Sequence, residues 1–155
     1  ALQHEKKGAL QMTACDICDD ALSFAQENIA AHNLQIQLLQ GDLFEPVAGM
    51  TFDLICSNPP YVGEEEKVSM GREVLEFEPH KALFAGVGGM TILQLIAEQA
   101  QAFLNDGGSI ICEMGMAQGE VAMKCFSQHG WEKIEIIKDY SDRDRFISAY
   151  KAGSL

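Results

Sequence analysis

The chain has 155 residues, of which 47% are hydrophobic and 22% charged, a composition that is ordinary for a globular protein with its own core. A formal net charge of −12, from 23 acidic and 11 basic residues, weighs against a nucleic-acid substrate, because such affinity comes largely from phosphate neutralisation. No apolar stretch reaches membrane-spanning length and the first residues lack a signal-peptide pattern, so we expect a single cytoplasmic domain, residues 1–155, that binds no membrane.

Strand and helix patterns alternate along the chain, which predicts an α/β fold with a parallel sheet covered on both faces. The predicted elements are a strand over 10–15, a helix capped by Asp19 or Asp20 and closed by Asn33, strands over 35–40 and 52–57, a helix over 90–104, a strand over 109–114, a helix over 118–128, and strands over 131–137 and 145–150. Residues 105–108 and Gly130 should end the second and third helices. No helix separates the last two strands, which predicts an antiparallel hairpin at one edge of the sheet.

The most informative segment is Asn58-Pro59-Pro60-Tyr61, which follows the predicted buried strand over 52–57. Two prolines cannot continue a strand or donate backbone hydrogen bonds, and Pro60 restricts Pro59 to an extended conformation. The carbonyl groups of Asn58 and Pro59 should therefore be unpaired and rigidly placed. Rigid acceptors beside the Tyr61 ring suit a flat group that carries N–H donors, such as an amide or an exocyclic amine.

Acidic residues follow the first two predicted strands, where ligands bind in parallel sheets. Asp16 comes after the first strand and is predicted to accept hydrogen bonds from ribose hydroxyl groups. Asp42 comes after the second strand and is predicted to accept from an adenine amine. The alternative is that both are turn or cap residues.

Several segments together resemble the release-factor glutamine methyltransferases of the HemK/PrmC type, and the similarity runs in family order through the whole chain. The segments are Ala14-Cys15-Asp16, Gln40-Gly41-Asp42-Leu43-Phe44, Ser57-Asn58-Pro59-Pro60-Tyr61, Phe77-Glu78-Pro79 followed by Ala82-Leu83, and Asp139-Tyr140-Ser141-Asp142-Arg143-Asp144-Arg145. Asn-Pro-Pro-Tyr alone is typical of the wider class of amino-group methyltransferases. The Phe-Glu-Pro segment and the segment over 139–145 narrow the resemblance to the release-factor enzymes.

The resemblance implies a Rossmann-like class I methyltransferase sheet with S-adenosyl-L-methionine as the methyl donor. It implies that the acceptor is a glutamine amide in the Gly-Gly-Gln motif of a peptide-chain release factor, which acts in translation termination. The cofactor-binding residues that it implies are Asp16, Asp42, Leu43 and Asn58, and the catalytic or substrate-binding residues are Asn58, Pro59, Pro60, Tyr61, Phe77, Glu78 and Pro79.

An amide nitrogen is a weak nucleophile, whereas a sulfonium is already a strong electrophile, so orientation matters more than acid–base catalysis. If the side-chain oxygen of Asn58 and the carbonyl of Pro59 each accept one amide N–H, they direct the nitrogen toward the methyl carbon. Tyr61 would pack on the flat amide or shape the channel. We nominate no general base, covalent nucleophile or metal ligand.

One departure from the family is large. The family's Asp-x-Gly-x-Gly-x-Gly strand and loop, which should lie just before residue 1, is absent from this sequence. That strand is normally the central one, so we expect an incomplete catalytic domain with an exposed gap between its first two strands and the rest. An open gap predicts self-association. A catalytically incompetent fragment is the alternative interpretation.

Two other functional classes use the same Asn-Pro-Pro-Tyr motif. One is methylation of a ribosomal-protein glutamine, and the other is methylation of a nucleic-acid base amine, which the acidity of the chain disfavours.

Among minor features, a packing role is favoured over a metal or redox role for Cys15 and Cys18, and the glycines of 86–89 are interpreted as a helix-entry turn. For Arg143 and Arg145, pairing with Asp139, Asp142 or Asp144 is favoured over binding an acidic partner.

Overall fold

The computed structural model describes residues 10–65 and 83–153. The chain divides into two compact units, residues 1–50 and residues 51–155. A division of this kind does not test whether the two units make up one domain, so the single domain predicted from the sequence stays a prediction.

The first unit is a β-α-β element, formed by β1 (Met12–Asp16), α1 (Asp19–Ala31) and β2 (Ile36–Gln40). The two strands pair in parallel, with Asp16 opposite Gln40, so their carboxyl ends lie side by side. Asn33 ends α1 as predicted: its φ is 50°, and the next amide, that of Leu34, donates to the carbonyl of Ile29. The predicted cap at Asp19 or Asp20 is wrong, because Cys18 is the N-cap and both aspartates lie in the first turn, where they favour the helix dipole.

The second unit contains a four-stranded sheet with the strand order β3-β4-β6-β5. Its elements are β3 (Phe52–Ser57), α2 (Thr91–Gln99), β4 (Leu104–Glu113), α3 (Gly119–Gln128), β5 (Glu132–Lys138) and β6 (Asp144–Tyr150). β3 pairs with β4 in parallel, and β6 runs antiparallel to both β4 and β5. The predicted carboxy-terminal hairpin at one edge of the sheet is therefore confirmed.

One predicted boundary is wrong. The sequence predicts a helix to residue 104 and a turn before a strand at 109. A 3-10 helix over Ala100–Phe103 continues α2 almost to the predicted end, but β4 begins at once at Leu104, which pairs with Phe52. The next pair is Leu54 with Ser109, so residues 105–108 bulge out of the ladder, with Gly107 at a φ of 73°. Leu104 fits the helical apolar spacing, but burial against β3, at 1% exposure, places it in the strand.

The core of the second unit lies where α2 and α3 pack on the sheet. Its buried side chains include Leu93, Ile96 and Ala97 of α2, Ala122 and Phe126 of α3, Ile110 and Cys112 of β4, and Ile147 and Ala149 of β6. The Trp131 ring lies 5.4 Å from the Phe126 ring, and its N–H donates to the carbonyl of Ala97 at 2.8 Å. Trp131 thus joins the end of α3 to α2 through both apolar contact and a hydrogen bond. The predicted stop at Gly130 is confirmed by its φ of 77°.

The cysteines are all free thiols. Cys112 and Cys125 are buried, and burial raises the pKa of Cys112 to about 12, with the neighbouring Cys56 adding to the shift. Cys15 and Cys18 are exposed, so the packing role favoured for them is wrong: they lie at the uncovered carboxyl end of β1 and in the turn after it.

The prediction that β3 is a buried strand is wrong for one of its faces. Leu54 and Cys56 are exposed, whereas Ile55 and Ser57, on the other face, are half-buried. Within the described residues, β1 and β2 form a sheet of their own and β3 is an edge strand of the four-stranded sheet. The gap predicted between the first two strands and the rest stays a prediction. Self-association through that gap stays a prediction. No helix in the described ranges is long and apolar enough to cross a membrane.

Replacing Phe126 by alanine should lower the free energy of unfolding by about 3–5 kcal/mol, because the side chain is fully buried and its loss leaves a cavity. Met123→Ala on the same helix is the matched control: Met123 is 42% exposed, and we expect a loss of about 0.5 kcal/mol or less. Urea unfolding followed by the fluorescence of Trp131, the one tryptophan in the sequence, measures both. Equal losses would contradict the core assignment.

Candidate active site at the Asn58–Tyr61 turn

The turn after β3 begins where the last strand residue, Ser57, pairs with Cys112. Asn58 is exposed, whereas Pro59 is buried and Pro60 half-buried. In the described part of the chain, no hydrogen-bond donor contacts the carbonyl of Asn58 or of Pro59, nor the Asn58 side chain. The turn thus carries three acceptor groups that the described structure leaves unpaired, two of them next to a rigid proline pair.

Tyr61 directs its hydroxyl group toward the end of β4 and the start of β6. The hydroxyl donates to Oε1 of Glu113 at 3.3 Å and accepts from Nη1 of Arg145 at 3.4 Å. The side chain is half-buried, and burial raises the pKa of Tyr61, followed by the effect of the Glu113 carboxylate, while Arg145 opposes the shift. The hydroxyl is therefore a fixed attachment of the turn to the sheet.

Arg145 lies between two carboxylates. Its guanidinium is 3.8 Å from Oε1 of Glu113 and 3.7 Å from Oδ2 of Asp139. Asp139 also accepts the amide N–H groups of Ser141 and Arg143, and the hydrogen bond from Arg143 is the main reason why the pKa of Asp139 is lowered. The favoured pairing of Arg145 with an aspartate is confirmed, and it ties the β5–β6 hairpin to Glu113.

The carbonyl of Tyr61 is held from the other side by Gln118 and Gly89. Nε2 of Gln118 donates to this carbonyl at 2.9 Å. Gly89 has a φ of 64°, and a Cβ at this position would overlap the same carbonyl oxygen, so only glycine lets the backbone come this close. Residues 86–89 lead directly into α2, which confirms the predicted helix-entry turn.

The chain after Tyr61 is joined to the chain before α2. Val62 donates its amide N–H to the carbonyl of Leu83 at 2.9 Å, and Ala85 donates to the carbonyl of Val62 at 3.0 Å. The Glu65 carboxylate accepts the Gly88 amide at 2.8 Å. The predicted substrate residues Phe77, Glu78 and Pro79 lie outside the described residues.

The predicted cofactor residues Asp16, Asp42 and Leu43 all lie in the first unit. Oδ1 of Asp16 accepts the Cys18 amide at 2.8 Å, so this oxygen has the turn role that we weighed as the alternative. The Gly41 amide donates to the Asp16 carbonyl at 3.1 Å, which brings the two strand ends together. Asp42 is exposed, and Leu43 adopts a left-handed conformation, with a φ of 44° that is uncommon for a residue other than glycine.

Sequence analysis missed three residues that fix the turn: Glu113, Gln118 and Gly89. Glu113 and Gln118 flank the Met-Gly-Met-Ala segment, residues 114–117, in the position where ligand-binding groups follow parallel strands. That position was the available signal, but neither residue belongs to a recognisable motif. Among the described residues, no cluster of His, Cys, Asp and Glu has the composition of a metal site.

Gly89→Ala should destabilise the second unit by at least about 1 kcal/mol more than Gly88→Ala, because only the first change forces a side chain into the Tyr61 carbonyl. Gly88 is the matched control: its φ is 68° and a Cβ there meets nothing within 4 Å, so it carries only the conformational cost of about 1–2 kcal/mol. Urea unfolding of both variants tests this difference, and equal costs would contradict the close approach.

Glu113→Gln should lower the pKa of Tyr61 toward its ordinary value of 10.0, whereas Arg145→Met should raise it further. Because the folded pKa lies above the unfolded one, the contribution of protonated Tyr61 to stability is complete below the unfolded pKa and is lost as pH rises through the folded pKa. Titration of the tyrosinate absorbance, with Tyr61→Phe as the blank for the exposed Tyr140 and Tyr150, measures both shifts. Shifts in the same direction for the two variants would contradict the assigned contacts.

The chain is similar to known proteins in both sequence and fold. The chain is 40% identical over 137 residues to the release factor glutamine methyltransferase of Streptococcus pneumoniae R6, covering 88% of this chain and 49% of that protein. It is 37% identical over 147 residues to the protein of the same name from Staphylococcus aureus NCTC 8325, covering 92% and 52%. The chain thus spans about half the length of these curated relatives. These relatives bear out the resemblance stated from the sequence.

Solved structures with the same fold are more distant in sequence. A methyltransferase from Pyrococcus furiosus superimposes with a TM-score of 0.71 at 20% identity, covering 97% of this chain and 68% of that one. A putative methyltransferase complexed with SAH has a TM-score of 0.59 at 17% identity, covering 94% and 40%. These likenesses confirm the predicted Rossmann-like methyltransferase fold. Residues 1–86 match the family described as "Methyltransferase small domain". The chain belongs to the methyltransferase small domain family, and S-adenosylmethionine, predicted from the sequence, is its methyl donor.

Proposed function

We propose that a protein containing this chain transfers a methyl group from S-adenosylmethionine to the side-chain amide nitrogen of a glutamine in a peptide-chain release factor. The observation that carries the proposal is that the acceptors of the exposed Asn58 and the carbonyl of Pro59 meet no donor among the residues that the structure describes. We call the Asn58 side-chain oxygen and the Pro59 carbonyl the amide clamp. The names of the relatives at 40% and 37% identity support a release-factor glutamine as the acceptor.

The clamp supplies orientation and a favourable electrostatic environment. A primary amide has two N–H donors, and two acceptors on a rigid turn are able to accept both, which fixes the plane of the amide. The nitrogen gains the methyl carbon and loses one proton to water, and the two acceptors stabilise the positive charge that develops on its N–H groups. The part of this mechanism that belongs to the protein therefore needs no acid–base residue.

The residues of the first unit fit the proposed cofactor. S-adenosylmethionine, when bound, supplies an electrophilic methyl group on a sulfonium. Oδ2 of the exposed Asp16 carboxylate contacts no donor in the described ranges and is available for the ribose hydroxyl groups, because Cys18 uses only Oδ1. We assign the exposed Asp42 to the adenine amine. Leu43, with its left-handed backbone conformation, is the next residue of the same loop and is assigned to the cofactor as well. Asn58 is also predicted from the sequence as a cofactor residue, but the proposal gives its side-chain oxygen to the substrate amide and assigns donor affinity mainly to Asp16, Asp42 and Leu43.

Other acceptors would use the same clamp. A ribosomal-protein glutamine has the same amide group, and a base amine offers similar N–H donors. The net charge of −12 disfavours the base amine, since the chain offers few cations to phosphate groups. Action in the cytoplasm stays a prediction from the sequence.

Asn58→Ala should lower kcat for glutamine methylation by about 100- to 1,000-fold, because one of the two amide acceptors is removed, while the dissociation constant of the methyl donor changes little. The assay incubates a purified protein containing this chain with release factor and methyl donor, and mass spectrometry locates the added methyl group. Asn105→Ala is the matched control, because the exposed Asn105 amide contacts Asp53 and not the clamp. Wild-type protein that methylates a nucleic-acid base or nothing at all, or an active Asn58→Ala variant, would refute the proposal.

A further inference from the structure

Gln118 occupies the N-cap position of α3 but does not cap it. Helices usually begin with Ser, Thr, Asp or Asn, whose short side chains accept the first free amide groups. The Gln118 side chain makes no such hydrogen bond and extends to other segments of the second unit. The Gln118 side chain makes three hydrogen bonds that do not cap the helix, so we looked to the site for their role.

The three hydrogen bonds of the Gln118 amide use every hydrogen-bonding atom that it has. Nε2 donates to the carbonyl of Tyr61 at 2.9 Å and to the carbonyl of Gly88 at 3.0 Å. Oε1 accepts the amide N–H of Gly115 at 2.8 Å. Because a backbone N–H can only donate, it requires Oε1 on its side, and this fixes the orientation of the amide. One side chain therefore joins the Asn58–Tyr61 turn, the glycine turn before α2 and the turn after β4.

The clamp needs such a support because it cannot hold its own position. Pro59 and Pro60 have no N–H groups, and the two acceptors of the clamp, the Asn58 side-chain oxygen and the Pro59 carbonyl, have to stay free for the substrate. The first backbone carbonyl after the prolines is that of Tyr61, and Gln118 holds it. We propose that Gln118 is a positioning residue that sets the placement of the amide clamp, an inference that rests on the proposed function.

Two substitutions test Gln118 in a purified protein containing this chain. Gln118→Glu keeps an acceptor for the Gly115 amide but replaces the donor that faces the Tyr61 and Gly88 carbonyls. Gln118→Met has a similar length without hydrogen-bonding groups and avoids a new charge, so it serves if the glutamate variant does not fold. We expect kcat for glutamine methylation to fall about 10- to 100-fold in either variant, because a small displacement of the clamp misaligns the nitrogen.

The control is Gln101→Glu, which makes the same chemical change at a comparable glutamine. Nε2 of Gln101 donates to the carbonyl of His129 at 2.8 Å. His129 follows the last residue of α3, whereas Gln118 precedes the first, and this hydrogen bond involves none of residues 58–61. We expect kcat to stay within about twofold of the wild-type value. A loss of activity as large as that of Gln118→Glu would mean that any such change harms the enzyme, and would overturn the proposal.

Two further measurements separate positioning from general stability. The Michaelis constant for release factor, the dissociation constant of the methyl donor and the melting temperature should be nearly unchanged. Hydrogen exchange should become faster at the amides of Val62 and Ala85, which donate to the carbonyls of Leu83 and Val62. Unchanged kcat, or unchanged exchange at these amides, overturns the role of Gln118. Loss of donor binding and melting temperature together with kcat also overturns it, because that pattern indicates a structural role only.

Failure of the proposed function gives a different result. If the wild-type protein methylates no glutamine, the substrate assignment fails whatever Gln118 does. The exchange rates of the Val62 and Ala85 amides still show in that case whether Gln118 holds the turn: faster exchange in the variant supports the positioning role, and equal exchange overturns it.

Discussion

Tyr61 is held at both ends, and the placement of the Asn58 and Pro59 acceptors before it depends on this double attachment. Its carbonyl accepts from Gln118, and its hydroxyl group lies between Glu113 and Arg145. The preceding prolines make the turn stiff but cannot bind it to the sheet, because they have no N–H groups. Stiffness and attachment thus come from different residues, and the turn needs both to present acceptors at a fixed place.

The attachments reach the turn from several separate elements of the second unit. Glu113 ends β4, Arg145 lies near the start of β6, and Gln118 precedes α3. Arg145 also contacts Asp139, so the hairpin between β5 and β6 is part of the same network. Half-buried charged groups are costly when unpaired, and here each has an opposite charge or a hydroxyl group beside it. The antiparallel hairpin therefore has a role at the site as well as in the sheet.

The elements that could be predicted are those with strong local signals. The β3 bounds, the stop of α1 at Asn33 and that of α3 at Gly130 follow from apolar runs and from residues that tolerate a left-handed conformation. Leu104 was misassigned because its apolar spacing fits a helix equally well, and only its pairing with Phe52 distinguishes the two. Cys56 was expected to be buried with the rest of the apolar strand β3. It is exposed, and composition alone does not show that one face of a strand is left uncovered.

The sequence by itself determined the family, the cofactor and the segment that carries the unpaired acceptors, because Pro59 and Pro60 constrain the backbone through their own covalent geometry. Only the tertiary structure decided what holds that segment. Gln118 is 57 residues from Tyr61, and no local pattern of propensity or periodicity encodes a contact over that separation. The same holds for Gly89, whose missing side chain matters only because the Tyr61 carbonyl folds against it.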